Sequence, residues 1–275
     1  MRENMKFHGH RAVDGDHDED NMKFHGHRAA DGDHDQDNMK SHDHSAADGD
    51  HDEQVFATTF TALNNSGVKG AAALVYDPDS HNLTVEIDAS GLTPGQVHPA
   101  HIHGFPDNMD ATSPTLAQDA DHDGFVELAE GLTTYGPILL NLTSPPTQPA
   151  AVGDGTFAGM ANVPDFPNAD ANGDVHFRQT YHFEPNDPAA QSLLATIEQF
   201  DHKEIVLHGE NVAAGEGAGT GGEVDGTAGY KAVLPVASGE IHDVTGHEAN
   251  KIVADLQHDT HTGDHSLSDF LLGHA

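Results

Sequence analysis

The chain contains no cysteine and no tryptophan. Without thiols there is no disulfide, no thiolate zinc site and no cysteine nucleophile, so any bound transition metal has only histidine and carboxylate to hold it. Basic residues are scarce too: 11 Lys and Arg stand against 46 Asp and Glu, a formal net charge of −35 over 275 residues. Such a surface repels phosphate backbones and anionic headgroups, which excludes nucleic acid and acidic membrane surfaces as expected partners and leaves metal ions. No run approaches the roughly 18 apolar residues of a membrane span, so no membrane insertion is expected. The opening MRENMKFHGHR lacks the apolar stretch of a signal peptide, so none is expected there, although a processed or mis-started chain would read the same. What the chain has in excess is histidine, 24 residues of it, in a length ample for a sizeable core.

Three near-identical 17-residue units, beginning at Asn4, Asn21 and Asn38, fill residues 1–54. With 15 acids and 6 Lys and Arg among few apolar residues, this segment cannot bury enough surface to offset its ordering entropy and is expected to be a disordered tail. Each unit offers an HxH pair and a DGDHD run, ligand types for transition metals and hard cations; the same composition also suits a solvated tail with no selected ligand.

From Val55 onward the chain reads as short alternating runs broken by Gly, Asn and Pro. Strands are expected at 55–63, 68–77, 82–90, 96–104, 174–183, 203–209 and 230–236, which implies an all-β sandwich or barrel. One helix is signalled by Asp187 as cap, Pro188 at the first position, and Leu193, Leu194, Ile197 and Phe200 on one face. Residues 242–275 read as a His-rich tail with a possible short helix at 247–257.

The run GLTPGQVHPAHIHGF at 91–105 carries the most chemistry. On a strand, residues two apart share a face, so His101 and His103 present two imidazoles to one ion. The LTPG and HIHG elements resemble the copper-binding strand of the Cu/Zn superoxide dismutase superfamily and of CHRD domains. HKEIVLHGE (202–210) is similar to the later family strand that supplies another copper ligand, here His208, and LPVASGEI (234–241) is similar to its C-terminal strand.

The resemblance covers about 55–241. It implies a Greek-key, immunoglobulin-like β-sandwich with copper at His101, His103 and His208, and an extracytoplasmic location. This sequence departs from the family in three places. The zinc loop has no counterpart, so zinc is not expected at the family site. Ser238 stands where the second disulfide cysteine would be, with Ser113 or Thr112 near the first. Pro235 takes the position of the arginine that guides superoxide.

In the space of the zinc loop, an insertion at about 106–146, stands DADHDGFVELAE. Asp119, Asp121, Asp123, Gly124, Val126 and Glu130 match positions 1, 3, 5, 6, 8 and 12 of the EF-hand calcium loop. In that pattern alternate carboxylates wrap an oxygen-loving cation, Phe125 offers its carbonyl, Glu127 acts through water and Glu130 closes bidentately. A single loop without a partner reads as a structural clip. NADANGDVHF (168–177) echoes the pattern incompletely and reads as a turn, while His176 and His182 read as surface residues. The expected function is a calcium- and copper-binding module of superoxide dismutase/CHRD type; the alternative is a copper-only superoxide dismutase.

Overall fold

The computed structural model describes residues 53–144 and 166–257. The expected tail at 1–54, apart from its last two residues, lies outside them, as does 258–275.

Among the described residues, ten strands form two five-stranded antiparallel sheets, making an all-β fold with a few helices. In the first sheet, β1 (Gln54–Thr59), β3 (Lys69–Asp77), β4 (Asn82–Ser90), β7 (Val175–His182) and β10 (His242–Val244) lie in the order β10-β1-β3-β4-β7. The second sheet orders β2 (Thr61–Ala62), β5 (Ala100–His103), β6 (Ile138–Asn141), β8 (Glu204–Val212) and β9 (Gly229–Glu240) as β2-β9-β8-β5-β6. Strand alternation sends Leu83, Val85 and Ile87 of β4 inward, where they share one core with Ile102 of β5 and Ile205 and Leu207 of β8. Residues one step along each strand face out.

Helix α1 (Leu128–Tyr135) follows the 119–130 loop, α2 (Pro188–Ile197) follows β7, and α3 (Gly246–Gln257) follows β10. α2 starts as its cap predicts: Asp187 accepts from the Ala189 amide at 2.9 Å, and Leu193, Leu194 and Ile197 are buried. Phe200 is buried just beyond it, in a 3-10 turn.

Several boundaries differ from the sequence reading. The expected strand at 55–63 is two strands in different sheets, because the chain crosses at Phe60, pairing β1 with β3 and β2 with β9. The strand expected at 96–104 shortens to Ala100–His103, since Pro99 has no N–H to give to the ladder. Within the supposed insertion, Ile138–Asn141 pairs antiparallel with β5, the register shifting between Ile102 and His103. The expected C-terminal tail begins too early: His242–Val244 pair with β1, and Ile252 and Leu256 of α3 pack on Val55, Ala57, Ala73 and Val75. That apolar outer face explains why β3 is buried on both sides.

Candidate metal centre

The outward face of the second sheet carries the histidines. His101 pairs with Val206 and His103 with Glu204, so residues 204, 206 and 208 share the face of 101 and 103. A bulge follows at Leu207 and His208, whose amide donates to the Pro99 carbonyl at 2.8 Å. Two strands thus bring His101, His103 and His208 together, with ring centroids 5.1–6.0 Å apart. One ring nitrogen from each lies within 4.8 Å of the others.

All three rings are fully buried. His103 Nδ1 donates to the Gly136 carbonyl at 2.9 Å and His208 Nδ1 to the Val233 carbonyl at 2.8 Å. A proton held on Nδ1 in this way puts the lone pair on Nε2, the form in which imidazole ligates a metal. His103 Nε2 is buried with no hydrogen-bond partner in the protein. Burial drives the imidazoles neutral, His103 down to about 3 and His208 down to about 4. His101 is held well below the ordinary histidine range by burial and then by the proximity of His208. Three neutral nitrogen donors aimed at one point fit a borderline transition metal.

Aromatic rings wall the cluster. Phe166 meets His101 edge-on at 5.1 Å and Tyr135 meets His103 at 4.6 Å. Behind it, the buried His98 lies 2.9 Å from the His208 carbonyl through Nδ1 and 3.0 Å from the Thr93 carbonyl through Nε2. Burial lowers the His98 pKa, the two carbonyls offsetting part of the effect, so the neutral ring donates to one of them. His98 and both aromatic walls were unmarked in the sequence, since aromatic content alone does not say which rings meet a histidine.

The Asp119, Asp121 and Asp123 carboxylates converge, with one oxygen from each within 4.8 Å of the others. Asp119 accepts from the Asp123 and Gly124 amides at 3.2 and 2.9 Å, and Asp123 accepts from the Phe125 amide at 2.8 Å. Glu130 lies in the first turn of α1, its two oxygens accepting from the Ala120 and Glu127 amides at 2.6 and 2.8 Å. Glu127, placed at a water-mediated position by the sequence pattern, is instead buried at the cap of α1 and accepts from the Val224 amide at 2.7 Å. Burial pushes its carboxyl up to about 7, with repulsion from Glu223, Asp123 and Asp121 adding to the shift. Burial likewise raises Asp123 and Glu223, and neighbouring carboxylates add to each. A divalent cation among these groups reverses that penalty. Glu223 arrives from the Gly-rich segment between β8 and β9, a residue the loop pattern does not include.

Val126, at the eighth loop position, has its amide 2.7 Å from Asn64 Oδ1 and its carbonyl 3.0 Å from Asn64 Nδ2. One amide side chain therefore satisfies both backbone groups. The Phe125 ring packs toward Val212, Val224 and Leu234.

Other candidates fall elsewhere. His122 is exposed with φ of 61°. At 170–174, Asp170 accepts from the Asn172 and Asp174 amides and closes a turn, as the sequence predicts. His176 and His182 lie on the outward face of the first sheet, bonded to Asp88 and Asn82; Glu86, Asp88 and His176 form a further cluster of ligand-type groups there. Ser113 and Ser238 meet, their hydroxyls 2.9 Å apart. No protein-family model matches this chain, and neither does any curated protein.

Proposed function

We propose that the chain is a metal-binding β-sandwich module of the Cu/Zn superoxide dismutase/CHRD type, holding copper at His101, His103 and His208 and calcium in the 119–130 loop. The observation that carries this reading is the buried trio of neutral imidazoles with ring nitrogens within 4.8 Å of one another. Two sheets sharing one core, with the chain crossing from β4 to β5 and back from β6 to β7, support the sandwich. Among first-row divalent ions an all-nitrogen site favours copper most strongly.

Copper, when bound, supplies one-electron redox chemistry. The protein's part is to hold the imidazoles neutral, to orient His103 and His208 through the Gly136 and Val233 carbonyls, and to exclude water by burying the rings. For calcium, the support is three convergent carboxylates in a loop whose spacing matches the EF-hand pattern. Binding is favoured over turnover because Pro235 stands at the guiding-arginine position and a net charge of −35 repels superoxide. The family resemblance is the support for an extracytoplasmic location.

Metal analysis of purified protein followed by a dismutase assay after copper loading tests the reading. Bound copper with slow turnover that rises as salt screens repulsion is expected. Fast turnover that falls with salt overturns the binding module in favour of the copper-only enzyme.

A further inference from the structure

The calcium loop and the histidine cluster share structural elements. Glu130, the last position of the loop, lies in the first turn of helix α1, and the far end of that helix meets the cluster. Tyr135, its last residue, packs edge-on against His103 at 4.6 Å, and Gly136, its C-terminal cap, supplies the carbonyl that accepts His103 Nδ1 at 2.9 Å. From Glu130 to Tyr135 the helix runs for less than two turns, so one short helical strut joins the loop to His103.

Two glycines make this strut possible. Gly136 has φ of 76° and lies so close to Gly104 that an added Cβ would come within 2.7 Å of its backbone. At Gly131 a Cβ would run into the Tyr135 ring, which folds back along the helix so that its hydroxyl reaches the Leu128 carbonyl at 3.2 Å.

A second path leads to His208. Asn64 holds both backbone groups of Val126 and also donates to the Pro235 carbonyl at 2.8 Å. Pro235 belongs to β9, and two residues earlier Val233 offers the carbonyl that accepts His208 Nδ1 at 2.8 Å. The loop is thereby tied to two of the three imidazoles, to His103 through Gly136 and to His208 through Asn64 and β9.

We propose that calcium in the 119–130 loop and a transition metal at the three histidines bind cooperatively, with α1 and Asn64 as the positioning elements. The proposal rests on both sites named above. Calcium fixes Glu130 and Val126, these fix Gly136 and β9, and the two carbonyls hold His103 and His208 in the ligating orientation. Each ion lowers the ordering cost met by the other. The coupling is reciprocal: calcium raises copper affinity by the factor by which copper raises calcium affinity.

The experiment is a buffered Cu(II) titration of the full chain with and without saturating calcium chloride. It follows the copper spectroscopic signal that is absent in His103→Ala, which separates the cluster from the tails. A reciprocal calcium titration with and without Cu(II) completes the cycle. An equal enhancement in both directions, on the order of 5- to 150-fold, is expected. Glu130→Gln, which leaves the acidic tails intact, should reduce it to one. Asn64→Gly, which suits the φ of 55° at that position, should lower the factor while each ion still binds alone. Gly131→Ala should do the same through the strut; if it fails to fold, Asn64→Gly still carries the test.

A factor of one with both ions bound overturns the coupling and leaves the sites standing. Absence of a His103-dependent copper signal, or of calcium binding sensitive to Glu130→Gln, overturns it by removing one of its ends.

Discussion

The Ser238 hydroxyl donates to the Ser113 hydroxyl at 2.9 Å, which in turn donates to Glu204 at 2.5 Å. By the resemblance read from the sequence, Ser238 takes the place of the family's second disulfide cysteine, and Ser113 or Thr112 lies near the place of the first. A hydrogen-bonded relay ending on a buried carboxyl thus joins the 105–118 segment to the second sheet. Unlike a disulfide, this link depends on pH.

The fully buried Glu204 is pushed up to about 7 by burial, from an ordinary value of 4.5. The folded protein therefore binds the proton more tightly than the unfolded chain. The associated stability is complete below about pH 4.5 and is lost as pH rises through about 7. Chemical denaturation of metal-free protein at pH 6 and pH 8 should show a loss of about 1 kcal/mol from this group. In Glu204→Gln that component should vanish, so an unchanged difference between the two pH values would remove Glu204 as its source.

Millimolar calcium is expected to raise the melting temperature, because an ion at 100 times its dissociation constant adds about 2.7 kcal/mol. Glu130→Gln should abolish most of the rise by removing the bidentate ligand. An identical response in variant and wild type would move the effect to the acidic tails.

Copper should show a nitrogen-rich signature lost in His103→Ala and in His208→Ala alike, because the two side chains come from different strands of one site. Copper bound only by the repeats would survive both changes and disappear on removal of residues 1–52.

Removal of residues 1–52 should preserve the cooperative unfolding transition. The cut stops short of Gln54, which pairs with Tyr76 at the start of β1. A lost or broadened transition, read by circular dichroism during thermal melting, would show that the repeats contribute to the fold.

Local patterns were legible without the structure. Alternation in 82–90 places Leu83, Val85 and Ile87 inward, and the same period of two puts His101 and His103 on one face. Asp187 and Pro188 announced α2 from cap chemistry. The convergence of Asp119, Asp121 and Asp123 was readable because their carboxylates are spaced within one short segment. Less legible was β6, three apolar residues and an Asn without a strong period. The split of 55–63 at Phe60 was equally hidden, since nothing local says that a strand changes sheets.

The amino-acid sequence by itself determined the charge, the absence of thiols, the β periodicity and the donor types available to an ion. The tertiary structure alone decided which donors meet. It brings His208 to the paired histidines through the β5–β8 register and a bulge, and Ser113 to Ser238 through the 105–118 segment. It also delivers Tyr135 and Gly136 to His103 at the end of a helix, and one Asn64 amide to both the 119–130 loop and β9. These pairings join segments far apart in the chain, where no periodicity extends, and only packing of the two sheets and their loops selects them.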